Sequence, residues 1–178
     1  MIKLKNKNLR AIDYNSCEVY VPINRSMKSN IHPCFGDNAH KFARMHIPVA
    51  PKCNISCNYC SRKYDCVNES RPGVTSEILS PEEALEKFKV VKNNMKNLTV
   101  VGIAGPGDAL ANFQEVKKSL TLIREESSET IFCLSTNGLM LPFYANDLIK
   151  LGVSHVTVTI NAVDKKIGAK IYKEVNYL

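Results

Sequence analysis

Four times along this chain a short apolar run, rich in β-branched residues, is followed by a longer stretch with helical spacing. The first run, residues 44–50 (RMHIPVA), reads as a buried strand stopped by Pro51. A polar, cysteine-rich loop follows from Pro51 to about Thr75. Ser80-Pro81-Glu82-Glu83 then marks a helix start, with a serine cap, proline in the first turn and an acid three residues on, and predicts a helix to about Asn94. Leu98–Ala104 (LTVVGIA) is apolar throughout and predicts a strand buried on both faces. Its sequel is a glycine loop, Gly105–Asp108, and a helix over Asn112–Glu126. Thr130–Ser135 is the third strand, Pro142–Leu151 the third helix, Ser154–Asn161 the fourth strand, and Asp164–Val175 a closing helix. Ahead of all this, residues 1–30 lack sustained periodicity and read as a leader with one extended piece at Glu18–Ile23; a helical turn is expected around Ala39–Ala43.

Strands alternating with helices predict an α/β fold of parallel strands joined by right-handed crossovers. A doubly wound sheet and part of a β/α barrel both satisfy the pattern. Either places ligands at the carboxyl ends of the strands, where the cysteine loop, Gly105–Asp108, Ser135–Asn137 and Asn161 all fall. The domain division read from the sequence is a leader over 1–30 and one α/β domain over 31–178.

Composition narrows the chemistry. With 44% hydrophobic and 23% charged residues the 178-residue chain is neither disordered nor fibrous. Its net charge of +7 comes without an aromatic-interleaved basic stripe, so no nucleic acid partner is expected. No apolar run reaches bilayer length, so no membrane is expected either, and MIKLKNKNLR has no apolar core behind its charges. A cytoplasmic location follows as the expectation. Seven cysteines in a reducing compartment point to metal or redox chemistry rather than disulfides.

Three of them stand as Cys53-Asn-Ile-Ser-Cys57-Asn-Tyr-Cys60. Three thiolates on one loop hold three irons of a cubane and leave the fourth for another ligand; structural zinc sites usually pair two Cys-x-x-Cys knuckles, which this spacing does not give. Placed directly after a first strand, the motif resembles the signature of the radical S-adenosylmethionine superfamily. The resemblance implies a partial radical-SAM barrel of about four parallel β/α units, apparently truncated before the last two. It also implies a [4Fe–4S] cluster on Cys53, Cys57 and Cys60, and S-adenosylmethionine as cofactor. Tyr59 is then the residue near adenine. Gly105 and Gly107 let backbone approach the ligand, and Asp108 takes the methionyl ammonium. An ordinary β/α turn is the competing reading of that loop. Ser135, Thr136 and Asn137 suit ribose or carboxylate hydrogen bonds, with helix capping as the alternative for each, and Asn161 is expected as a further cofactor contact.

A narrower resemblance is carried by His32-Pro33-Cys34, Ala39-His40, Ala43–His46, Pro48–Pro51, Arg62–Cys66, Asn68–Val74, Gly102–Asn112 and Thr157–Tyr172. Together they are similar to the NifB family of nitrogenase-cofactor maturases over about residues 31 to 175. That implies a radical enzyme that fuses [4Fe–4S] units and inserts a carbide derived from S-adenosylmethionine, making the precursor of the nitrogenase cofactor. One S-adenosylmethionine methylates a cluster sulfide and the radical from a second abstracts hydrogen from that methyl. Additional [4Fe–4S] clusters are then substrates. Cys66, Cys133 and His46 are expected to converge on one of them, and Cys34 to serve another; a small core hydrophobe is the alternative for Cys133. Cys17 is read as incidental and His155 as structural, remote from the active face. Glu69 and Arg71 handle protons or bind a cosubstrate, unless they are surface ion pairs. An iron–sulfur cluster donor, an electron donor and a cofactor carrier protein are the implied partners. Two other functions stay open: a radical enzyme with an organic substrate, and a non-enzymatic iron–sulfur carrier.

Overall fold

Met45 and Ile47 of strand β3 (Ala43–Pro48) lie opposite Val101 and Ile103 of β5 (Leu98–Ala104), which lie opposite Phe132 and Leu134 of β6 (Ile131–Thr136). Partnered residues of neighbouring strands share a face, so these six form one apolar surface, and all are buried. The sheet is completed by β7 (Val153–Val158), in the order β3-β5-β6-β7, all parallel.

The computed structural model describes residues 9–14, 17–22, 33, 39–64, 66–67 and 77–177. Contacts divide the chain into two units, Met1–Ile31 and His32–Leu178. In the first unit β1 (Leu9–Tyr14) and β2 (Cys17–Pro22) pair antiparallel from Leu9↔Pro22 to Tyr14↔Cys17. Only the second of these was expected from the sequence.

The apolar face of the four-stranded sheet is covered by α1 (Pro81–Asn94) and α2 (Phe113–Glu126). Ser80 and Glu83 cap α1 reciprocally: Glu83 N donates to Ser80 Oγ at 3.3 Å and Ser80 N to Glu83 Oε2 at 2.8 Å. Such a cap contributes about 1 kcal/mol. Burial of Phe88 outweighs it, since truncating a sealed phenylalanine costs about 3–5 kcal/mol. Helix α3 (Leu141–Lys150) buries only Leu148 and stacks Tyr144 on Phe113 of α2, with ring centroids 3.9 Å apart. No helix among the described residues is long and apolar enough to cross a membrane.

The closing segment differs from the expected single helix. Helix α4 (Lys165–Ile171) is capped by Asp164, whose Oδ1 accepts from Lys166 N and Ile167 N, and it ends at Tyr172. There the chain becomes β8 (Tyr172–Val175), which pairs antiparallel with β4 (Ile55–Cys57) inside the cysteine loop. Helical spacing extends through Val175, but the strand pairing satisfies backbone groups of the loop that a longer helix would leave without partners.

Candidate functional site

The cysteine loop begins where β3 ends and is sewn to the loop after β5. Gly107 N donates to Ala50 O at 2.9 Å and Asp108 N to Lys52 O at 2.8 Å. Asn112, buried, completes the seam: its Nδ2 donates to Lys52 O (2.7 Å) and Asp108 O (2.8 Å), and its Oδ1 accepts from Lys52 N (3.0 Å). The two loop glycines owe their identity to this contact. A Cβ on Gly107 would come within 2.0 Å of Lys52 O, and one on Gly105, which sits at φ +149°, within 2.4 Å of Ala50 O. The protein's own backbone fills the space a Cβ would take, and Gly107 lines the cleft as well.

At its far side the same loop is held by the chain's last elements. Asn58 N donates to Ile171 O (2.8 Å), Asn58 Nδ2 to Lys170 O (2.7 Å), and Asn176 N to Asn54 O (2.8 Å). From within, Arg62 Nη2 reaches Ile55 O at 2.9 Å and Cys53 O at 3.3 Å. The cysteine loop is therefore fixed along three sides.

Between this loop and the carboxyl ends of β5, β6 and β7 opens a cleft of about 480 Å³, counting the solvent at its mouth. Cys53, Cys57, Cys60 and Cys66 line one side, with Tyr59, 46% exposed, among them. Gly107, Asp108, Thr136, Asn137, Thr159 and Asn161 line the other. Cys66 is brought in by Cys66 N donating to Gly105 O at 3.3 Å. Burial pushes the Cys53 thiol up, assisted by the charges of Asp108 and Cys57 and opposed by the Ile55 N–H and Arg62. Burial also raises Cys57, assisted by Cys60 and opposed by the Tyr59 hydroxyl and Arg62.

Asp108 lines the cleft and is also bonded within the protein. Its carboxylate, 4% exposed, accepts from Leu110 N (2.9 Å), from Thr136 Oγ1 (2.9 and 3.0 Å) and from Asn137 N (2.6 Å). It joins the β5 loop to the β6 loop. Asn137 continues the chain of contacts, with Nδ2 donating to Asn54 Oδ1 (2.7 Å) and Oδ1 accepting from Leu139 N (3.0 Å). Those bonds fix the amide's orientation and leave Asn54 Nδ2 buried with no hydrogen-bond partner. Asn161 N donates to the Tyr172 hydroxyl at 3.2 Å.

The remaining expected site residues divide. Ser135 is absent from the cleft wall, which Thr136 and Asn137 line. Cys133 and His46 do not join Cys66: they lie on the open face of the sheet, lower down, and are absent from the cleft wall. His155 is absent from the cleft wall and pairs with Cys133 next to an irregularity in the β6–β7 register. Burial holds its imidazole below the usual range. Cys34, Glu69 and Arg71 lie outside the described residues. Arg62, Asn112, Asn58 and Thr159 were not singled out from sequence. For Asn58 the partners, Lys170 and Ile171, lie at the other end of the domain, which no local pattern announces.

The cleft fits an iron–sulfur cluster and S-adenosylmethionine. Among the described residues no three His, Cys, Asp or Glu side chains close on one point as a single ion requires. A cubane takes one iron per thiolate, so three thiols set around one wall suit it. The orphaned Asn54 Nδ2 beside them would gain an acceptor from a bound anionic group.

Residues 47–177 match the family described as the Radical SAM superfamily. The chain is 57% identical over 142 residues to the FeMo cofactor biosynthesis protein NifB of Bradyrhizobium diazoefficiens, a match covering 79% of this chain and 28% of that protein. With the NifB proteins of Klebsiella pneumoniae and Chlorobaculum tepidum it is 55% identical over 146 and 148 residues. Each of these matches covers 82% of this chain, and 31% and 35% of the relatives respectively. The chain thus spans about a third of the length of the curated relatives it matches. A crystal structure of BtrN in complex with AdoMet and 2-DOIA aligns with a TM-score of 0.49 at 19% identity, over 71% of this chain and 50% of BtrN.

Proposed function

Because this chain belongs to the radical S-adenosylmethionine superfamily, we propose that it carries the cluster- and S-adenosylmethionine-binding part of a nitrogenase-cofactor maturase. The reaction is fusion of [4Fe–4S] units with insertion of a carbide derived from S-adenosylmethionine. The observation that carries this reading is Cys53, Cys57 and Cys60 lining one side of a cleft at the carboxyl ends of three parallel strands. Identities of 51–57% to NifB proteins support the choice of substrate.

Cys53, Cys57 and Cys60 hold the cluster, which when bound supplies the electron for reductive cleavage of S-adenosylmethionine. The remaining work belongs to the protein. Buried thiols stay protonated until metal displaces their protons, so assembly releases protons into the cleft. Arg62 and Asn58 hold the loop's carbonyls and flank so that the three sulfurs keep their spacing. Tyr59, exposed at the mouth, offers a ring face to adenine. Asn137, Thr159 and Asn161 on the facing wall offer hydrogen bonds to ribose or carboxylate. Asp108 acts through Asn137 and Thr136, fixing that wall. Cys66, Cys133, His46 and Cys34 are the substrate-cluster donors, and Glu69 and Arg71 move protons or bind a cosubstrate. A cluster donor, an electron donor and a carrier for the product complete the system, in the cytoplasm.

The test is anaerobic reconstitution with iron and sulfide, EPR with and without S-adenosylmethionine, and assay of 5′-deoxyadenosine and transferable precursor cluster. A signal perturbed by S-adenosylmethionine together with 5′-deoxyadenosine is expected. Cluster binding without cleavage would make the chain an iron–sulfur carrier instead.

A further inference from the structure

Every ion pair among the described residues joins α1, α2 or the segment just ahead of α1: Lys87 with Glu77, Lys89 with Glu86 and Glu126, and Lys118 with Glu82. Over residues 77–129 acidic side chains outnumber basic ones, so the net charge of +7 is carried elsewhere. Part of it stands on α4 and β8. Lys165, Lys166, Lys170 and Lys173 are all exposed there, and none forms an ion pair among the described residues. Of the two acids on this segment, Asp164 is engaged as the cap of α4, which leaves Glu174 against four lysines.

The helix gains nothing from this arrangement. Lys166 and Lys170 are four positions apart on α4, where like charges repel. Packing does not demand it either, since α4 buries none of its residues. An anionic partner would relieve the repulsion.

The basic segment is fastened to the cysteine loop. Tyr172 of β8 lies opposite Cys57 of β4 and Glu174 opposite Ser56, with Lys173 at the irregularity between them. Asn58 holds the carbonyls of Lys170 and Ile171. From the loop itself Arg62, also exposed, sets its guanidinium on Ile55 O of β4. β4 and β8 form a sheet of their own. A molecule seated on β8 is therefore one strand spacing, about 4.8 Å, from the strand that carries Cys57.

We propose that α4 and β8, with Arg62, form the docking surface for an acidic one-electron carrier protein that reduces the cluster held by Cys53, Cys57 and Cys60. This rests on the reading of those three thiols as holders of a reducible cluster. The step passes one electron: the carrier's reduced centre loses it, the cluster gains it, and no bond is made or broken. Opposite charge speeds the encounter and orients the carrier. Ile167 and Val175, 56% and 49% exposed, stand among the lysines. A folded protein covers such apolar surface within a polar rim, and a phosphate backbone does not, so an acidic protein fits better than nucleic acid.

The experiment uses the full chain, reconstituted anaerobically with iron and sulfide, and an acidic ferredoxin as the probe. Ferredoxin affinity is measured by calorimetry at low salt and at about 0.15 M, where charges are screened beyond about 8 Å. The rate of 5′-deoxyadenosine formation is measured with reduced ferredoxin and, separately, with dithionite, which needs no docking surface. Lys166→Glu with Lys170→Glu should weaken ferredoxin binding roughly tenfold or more at low salt, with a smaller loss at high salt. It should slow the ferredoxin-driven rate in proportion and leave the dithionite-driven rate unchanged. Lys96→Glu with Lys117→Glu reverses the same charge away from this surface and should change neither. Equal losses in the two double variants would show that net charge alone sets the binding, and would overturn the inference. So would no ferredoxin binding by the parent chain, or tighter binding of a DNA duplex or of phosphatidylglycerol vesicles at these lysines. A parent chain that makes no 5′-deoxyadenosine with dithionite would instead sink the reading of the three thiols, while the ferredoxin affinities would still decide whether the surface docks an acidic carrier.

Discussion

Thr136 donates its hydroxyl to the Asp108 carboxylate at 2.9 Å, 28 positions away in the chain, with both residues all but closed to solvent. The bond ties the end of β6 to the loop after β5. Through Asn137 N it also sets the wall that faces the cysteines. Replacing Asp108 with asparagine would keep the volume but place an amide against donors. Leaving a buried group unsatisfied costs about 1–3 kcal/mol. Asp108→Asn should destabilise the cluster-free chain by that amount in urea unfolding, and weaken S-adenosylmethionine affinity through displacement of Asn137. Unchanged stability with lost affinity would instead return the carboxylate to direct contact with the ligand.

What could be read in the sequence here, and what could not, follows from distance along the chain. The four-strand pattern and the cysteine triplet are local signals, and the strands stand within a residue or two of their expected places, the fourth ending earlier, at Val158. The site's inner construction is non-local. That Ala50 and Lys52 pack against Gly105 and Gly107 is one such fact, since nothing nearby in the sequence shows it. The bonds of Asp108 to Thr136 and Asn137 are another, because those partners belong to a different loop. Tyr172–Val175 continued a helical pattern, and only the cysteine loop, more than 110 residues earlier, turns it into a strand.

Gly107 gives a sharp steric test. Its added Cβ would meet backbone, not a mobile side chain, at 2.0 Å from Lys52 O. The seam between the two loops would have to open. Gly107→Ala should lower cluster retention after reconstitution, while far-UV circular dichroism stays close to that of the parent chain, since the helices and sheet lie elsewhere. Parent-level iron content would show that the loop yields freely.

Alanine at Cys53, Cys57 or Cys60 should abolish 5′-deoxyadenosine formation, because each removes one of three protein ligands. Product from the triple variant, measured by chromatography, would contradict the assignment of the cluster to this cleft.

The raised thiols of Cys53 and Cys57 set a pH dependence for the cluster-free chain. In the folded state these groups keep their protons to higher pH than they do unfolded. Above the ordinary thiol range the unfolded chain therefore binds fewer protons, and stability falls as pH rises. Unfolding midpoints should decline on the alkaline side, and the decline should be shallower in Cys53→Ala. A profile equally steep in that variant would place the titrating groups elsewhere.

Strand β8 offers the last test, because it is the outer brace of the cysteine loop. Tyr172–Val175 pairs with Ile55–Cys57, and Asn176 N donates to Asn54 O. The apolar core of β3, β5, β6, α1 and α2 contains none of these residues. Deleting residues 172–178 should therefore leave the main unfolding transition nearly in place. It should release one side of the loop that carries Cys53, Cys57 and Cys60, while Asn58 keeps its bonds to Lys170 O and Ile171 O. A partly braced loop should still bind a cluster but lose it faster. The expected result is iron loss to a chelator accelerated several-fold, with a broadened EPR signal. Asn58→Ala in the truncated chain should accelerate the loss further. Chelation kinetics identical to those of the full chain would mean that Arg62 and the Lys52–Asn112 seam hold the three sulfurs unaided.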